Sequence, residues 1–414
     1  MRNSPTVTAK INTLPAEILT VVFEMSVPRC VHDHEQQFQF YDPTAVCAYW
    51  RRVAINAPQL WTHIDAGTDT PAGLTNLLLK RTKNSAICVH VYEPNYGYEP
   101  TPLETIEMTA KLLEPHMHRV CTLRIDSDSA RTSLIVRVLN IWLDRGNKDL
   151  SRSLSVYCPR SNHPFLDAMT LGDSQIGFTL TKNGMNMLSS LSTLHLHGSL
   201  FYWDSSVYQG LVDLRLDGVS NNCISITTSE LATILSTNPG LVVLKLGQLD
   251  VHQTASWNQP APTLMNHLNV LDLVKIDADS SNRILSLVSL PTSSLSEVSL
   301  GLSARSGSLC NELESFLLRS GVATLYWGDT YDLKHFRLFQ LPLPHQLPNI
   351  RDLVVNDVPF LGNSVLVETS PVYLPTVSPP HPLNITLLRC TVTFEGLSHL
   401  VVKYGIQQLQ LEQC

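Results

Sequence analysis

Fifteen histidines, nine cysteines and 36 acidic residues are the reactive stock of this 414-residue chain, and their spacing decides what chemistry they can support. Cys30-x-His32-x-His34 and His116-x-His118 have metal-ligand residue types. Zinc modules combine two ligand pairs at defined spacing, and neither cluster has a second pair, so no metal is expected. Asp126 and Asp128 read as a solvated turn after a strand rather than as paired carboxylates for acid/base work. The strings GxSxG, GxGxxG and HExxH and the phosphate-loop string are absent, which removes the common nucleophile, dinucleotide, zinc-protease and nucleotide routes. The expectation is a protein that is not an enzyme and takes no cofactor.

The cysteines, at 30, 47, 88, 121, 158, 223, 310, 390 and 414, are odd in number and lack CxxC spacing, so they read mostly as buried thiols rather than a disulfide framework. His195 and His197 are more informative. They alternate with Leu194 and Leu196, so on a strand they face away from the leucines. The same register puts Asp213, Arg215, Asp217, Lys245, Asp272, Glu297, Tyr326, Asp352 and Asn356 on that face. From these we take His195, His197, Arg215, Lys245, Asp272 and Tyr326 as candidate substrate-binding residues on a concave sheet. Trp327 takes an inward slot, and Trp203 and Trp257 fall in loops.

The elements that carry those residues come from a recurring block, apolar-xx-Leu-x-apolar. Strong examples centre on Leu123, Leu194, Leu214, Leu244, Leu271, Val298, Leu325, Leu353 and Leu409, with weaker ones at Leu154-x-Val156 and near Leu387. From Leu194 onward the central residues step mostly by 27 or 28, and the chain holds 64 leucines, as expected for leucine-rich repeats. Each block is a short strand whose inward residues stack on the next repeat, and the segments between read as returning helices. Thr228-Ser229-Glu230 opens one such helix. Leu134 to Leu143 before Gly146, the segment before Gly321, and Leu397 to Val402 before Gly405 end others. Prolines at 258 to 263, 341 to 348 and 359 to 382 interrupt the array.

Residues 12 to 61 lack this pattern. Pro15 and Glu17 suit a first helical turn, with Ile18, Val22 and Met25 on one face. Asp42-Pro43 starts a second helix carrying Val46, Cys47, Trp50 and Val53, and Leu60-Trp61 follow Pro58. The expected fold class is α/β. A three-helix module occupies 12–65, linker helices and a first degenerate repeat 66–117, and an irregular leucine-rich-repeat solenoid 118–414, with a proline-rich excursion at 359–382.

The chain charge is 29 − 36 = −7, without a basic block, so no nucleic-acid footprint is seen. No apolar run is long enough to span a bilayer and the first ten residues do not resemble a signal peptide, so a cytoplasmic or nuclear location is expected. The sequon Asn384-Ile385-Thr386 is then a chance match.

In order along the chain, Leu14-Pro15-x-Glu17-Ile18-xxx-Val22-Phe23, Val46-Cys47-xx-Trp50-Arg51 and Leu60-Trp61 resemble the F-box family, over about 50 of 414 residues. Within it, the pattern is similar to fungal F-box-like proteins with degenerate leucine-rich repeats. The stretch from Val27 to Tyr41 is longer than in a compact F-box. The resemblance implies binding to the Skp-type adaptor of a cullin-RING ubiquitin ligase through Leu14, Pro15, Ile18, Val22, Val46, Trp50, Leu60 and Trp61, with the repeats holding a protein substrate. The competing expectation is a repeat scaffold for complexes without ubiquitination, in which the helices cap the array.

Overall fold

The computed structural model describes residues 14–26, 43–93, 101–128, 132–160, 165–166, 181–219, 224–253, 261–291, 311–320, 322–328, 350–356, 359–360, 383–394, 397–398, 401 and 406–413. The chain is α/β and its strand pairs are parallel among the described residues. It divides into two units, one of Met1–Tyr157 with Thr170–Met187 and one of Cys158–Met169 with Leu188–Cys414. No described helix is long and apolar enough to cross a membrane.

The first unit opens with α1 (Ala16–Ser26) and α2 (Ala48–Asn56), followed by a 3-10 turn over Pro58–Trp61. The carbonyl of Pro15 accepts the first α1 bond from Leu19 N at 3.1 Å. Leu19 and Phe23 face inward and meet Val53, Ala54, Ala57, Leu60 and Trp61 in a closed core. Then come β1 (His63–Gly67), α3 (Ala72–Arg81), β2 (Ile87–Tyr92), α4 (Leu103–Leu113), β3 (Val120–Asp126), α5 (Ser133–Arg145), β4 (Ser153–Tyr157) and α6 (Lys182–Leu188). The strands pair in the order β1-β2-β3-β4, and a helix between each successive pair supplies the crossover that parallel strands require. Helix α5 buries nine residues between Ser133 and Leu143, including Trp142, which is why its sequence reads as nearly continuous apolar.

The second unit contains β5 (Thr193–His197), β6 (Asp213–Asp217), β7 (Ile224–Thr227), α7 (Thr228–Ser236), β8 (Val243–Gly247), β9 (Leu249–His252), β10 (Thr263–Leu264), β11 (Val270–Val274), α8 (Ala278–Leu287) and β12 (Val288–Ser289). It continues with α9 (Asn311–Arg319), β13 (Thr324–Gly328), β14 (Asp352–Asn356), β15 (Pro359–Phe360), β16 (Leu383–Leu388), β17 (Thr391–Val392) and β18 (Ile406–Glu412). Strands β5-β6-β8-β11 form one run of pairs and β13-β14-β16-β18 another. Shorter parallel pairs, β7 with β9, β10 with β12 and β15 with β17, repeat the same stacking beside them.

Eight of the nine strong leucine blocks centre on strands, and the ninth, around Val298, lies outside the described residues. The inward leucines are buried, as in Leu214, Leu244 and Leu271 at equivalent register positions. Five expectations are corrected. The parallel sheet begins at His63, ahead of the first leucine block, since β1 and β2 fill their inward slots with Ile, Val and Ala. Helix α7 is capped one residue earlier than expected, by Thr227 in a reciprocal capping box with Glu230. Gly146 does end α5, but with φ −68° it is not left-handed. Its small size is what counts, since a Cβ there would sit 2.3 Å from Met187 Cε. On β18, Leu411 is half exposed rather than inward core. Asp126 is no solvated turn but the last residue of β3, paired with Arg124 and His90. The prolines at 341 to 348 and most of 359 to 382, and the Cys30-His32-His34 cluster, lie outside the described residues.

Candidate functional site

Helix α1 separates its residues sharply. Leu19 and Phe23 close the core, while Ile18 (49% exposed) and Val22 (42%) form an outer apolar strip with Val21 and Met25. Pro15 and Val46 are also exposed. Leu14 is half-buried, and its carbonyl accepts the Tyr49 hydroxyl at 2.8 Å. Trp50 packs on Phe23 with ring centroids 5.0 Å apart. Leu60 (6% exposed) and Trp61 (3%) differ from expectation, since both lie inside the core rather than on its surface. The indole of Trp61 donates to Ala54 O at 2.8 Å, and the Arg81 guanidinium lies 4.2 Å from its ring centroid. A two-residue anchor that finishes its own module is therefore not available as contact surface. Beside the strip, α1 and α2 border an open cleft of about 530 Å³ with Val21, Val53 and Ala57 among its walls.

The strands bring the polar candidates into rows. In the second unit, His195, Arg215, Lys245 and Asp272 are successive register partners across β5, β6, β8 and β11. His197, Asp217, Gly247 and Val274 form the next row. Four of the six candidate residues thus share one line, and His197 is adjacent. Tyr326 is on β13, in the other run of strands, and is half exposed.

These side chains satisfy one another. Asp213 takes Arg215 Nε at 3.0 Å and lies 3.1 Å from His195 Nε2. Burial opposes its charge, but the contacts with His195 and Arg215 outweigh that and hold its carboxyl down at about 2. His195 is buried, contrary to its expected exposure, with Asp213 against its ring. Burial, with repulsion from Arg215 and Lys245, outweighs Asp213 and lowers its pKa, which favours the neutral ring. His197 Nδ1 meets Asp217 Oδ2 at 2.8 Å, and Lys245 Nζ is 3.5 Å from Asp272.

Sequence reasoning passed over the matching rows of the first unit. Asp65, His90, Arg124 and Ser155 are register partners across β1 to β4. His90 Nδ1 is 3.1 Å from Asp65 Oδ1, and its Nε2 is 3.0 Å from Asp126 Oδ2. Asp126 also accepts Arg124 Nη2 at 2.7 Å, and His63 Nε2 reaches Asp65 at 3.2 Å. Burial disfavours the His90 cation, but the two carboxylates outweigh it and raise its pKa. With a carboxylate oxygen within 3.1 Å of each ring nitrogen, the doubly protonated ring can donate to both. The alternation in Ile87-Cys88-Val89-His90-Val91-Tyr92 was the sequence signal for this row.

Among the described residues, no group of three or more His, Cys, Asp or Glu side chains is placed to hold a metal. His116, of the closely spaced pair His116 and His118, faces Arg119, with Nδ1 3.2 Å from Nη2. Trp203 packs locally, donating to Ser225 O at 2.9 Å. In comparison with known proteins, the chain matches no family model, and no curated protein matches its sequence.

Proposed function

We propose that the chain is the substrate-recognition subunit of a cullin-RING (SCF-type) ubiquitin ligase, its helical module over 12–65 being F-box-like and its strand-helix units being repeats of an irregular leucine-rich-repeat solenoid. The observation that carries this reading is the outer strip of α1, where Ile18 and Val22 stay exposed although the helix already closes a core with Leu19 and Phe23. Apolar strips of this kind on a helix are a common mode of partner docking. The Skp-type adaptor would cover Pro15, Ile18, Val22 and Val46, with Leu14 and Trp50 at the margin. The polar row from His195 to Asp272 would hold the protein substrate.

The test is binding of purified full-length chain to a Skp-type adaptor by calorimetry. Changing Ile18 and Val22 together to Asp should weaken binding at least about tenfold, a loss of only about 1.4 kcal/mol. No binding of the wild type at tens of micromolar, or equal binding by the variant, ends the ligase reading. The second reading, a repeat scaffold without ubiquitination, then takes its place. One observation favours it: Leu78 of α3 packs on the same core as Leu60 and Trp61, as a capping module would require.

A further inference from the structure

Two sulfurs distant in sequence meet on the first unit's sheet. Along β2 and β3, Ile87 is opposite Val120 but Cys88 is opposite Thr122, so Cys121 is the extra residue of a β-bulge. The slip turns its side chain toward β2, where Sγ lies 3.8 Å from Cys88 Sγ and 3.3 Å from Ile87 O. Both cysteines are only partly buried, whereas Cys158 and Cys390 are buried. Neighbouring strands lie about 4.8 Å apart, within the Cα separations of about 4.4–6.8 Å that disulfides accept. Oxidation closes the sulfurs from 3.8 Å to about 2.05 Å.

We propose that Cys88 and Cys121 are a reversible dithiol site, oxidised to a cross-strand disulfide by a small disulfide of the glutathione class. The Cys88 thiolate attacks one sulfur of glutathione disulfide, forming a mixed disulfide and expelling one glutathione thiolate. Cys121 then attacks the Cys88 sulfur, gives up its proton to solvent and expels the second glutathione. Two protein thiols are oxidised, and one glutathione disulfide is reduced to two thiols. The neighbouring sulfur and burial raise the Cys121 pKa, which suits it to the second, resolving step. Sequence offered no sign of the pair, because 33 residues separate them and the bulge that joins them has no sequence signature.

The experiment incubates reduced full-length protein with glutathione disulfide, blocks remaining thiols by alkylation and maps peptides by mass spectrometry without reductant. The expected result is a peptide pair joined through Cys88 and Cys121, lighter by two hydrogens than the separate thiols and separated by added dithiothreitol. In C121S, Cys88 should accumulate as a stable glutathione adduct, and neither C121S nor C88S should give the joined peptide pair. The proposal is overturned if the wild type retains both thiols, or carries the Cys88 adduct with Cys121 free. That readout uses unaltered protein and does not depend on either variant folding.

Discussion

Asn238 holds the N–H of Leu211 on its side-chain oxygen at 2.6 Å, tying the end of α7 to the segment that enters β6. Its amide nitrogen donates to Tyr208 O at 2.7 Å and Ile234 O at 2.6 Å. The side chain is fully buried, so these backbone groups have no access to water in exchange. Asn238→Ala strands the buried Leu211 N–H, while Tyr208 O and Ile234 O keep the Thr237 hydroxyl as a shared donor, and it should cost about 1–3 kcal/mol, the range for one stranded group. Urea unfolding followed by circular dichroism reads this directly, and a loss below half a kilocalorie contradicts it.

The ion pairs around His90 give the first unit a two-sided pH response. The raised pKa of His90 means its contribution is complete below the ordinary histidine range and is lost as pH rises through the folded value. Asp65 and Asp126 are lowered: burial raises them, but the histidine bonds, with Arg124 for Asp126, outweigh it. Their contribution is complete above the carboxylate range and is lost as pH falls. Unfolding midpoints measured from about pH 5 to about pH 9 should decline on the alkaline side, and H90Q should flatten that decline. An unchanged slope in the variant assigns the response elsewhere.

Two glycines with positive φ separate conformation from space. Gly198 has φ +84°, and a Cβ there would meet Cys158 O at 2.0 Å, whereas Gly210 has φ +70° with open space around it. G210A should cost about 1–2 kcal/mol, the left-handed penalty alone. G198A should cost clearly more, because the β5 exit must also move away from Cys158. Equal melting temperatures for the two variants rule out the steric part.

Core and strip residues of the helical module should respond differently. W61A removes a buried ring and its bond to Ala54, and should destabilise by about 3–5 kcal/mol. V22D alters an exposed position and should stay within about 0.5 kcal/mol of wild type. Thermal melts of both, run before any binding assay, also show which variants can report on an interface.

The strands were legible wherever leucine occupied the inward slots, since Leu214, Leu244 and Leu271 recur at nearly even steps and stack at matching register. Strands β1 and β2 escaped because Ile64, Ala66, Val89 and Val91 satisfy the same burial with different residues. The strand period gave the facing of His195, Arg215, Lys245 and Asp272 correctly, but their availability could not be read, since pairing depends on the residue two places along or one strand over. Ile18 and Val22 were identifiable as a helix face. Sequence alone could not show that Leu60 and Trp61 fold back onto Leu19 and Phe23, because that contact spans the module.

The saturation of the row through Arg215 has a thermodynamic consequence for any acidic ligand that lands there. Such a ligand does not add an ion pair. It exchanges pairs already made, displacing Asp213 from the guanidinium or Asp272 from Lys245. Because the number of paired charges is nearly conserved, added salt screens the starting and final states alike, and affinity should vary little with ionic strength. Discrimination then lies in geometry, in how well an incoming carboxylate reproduces the two-point grip that Asp213 already holds on Arg215.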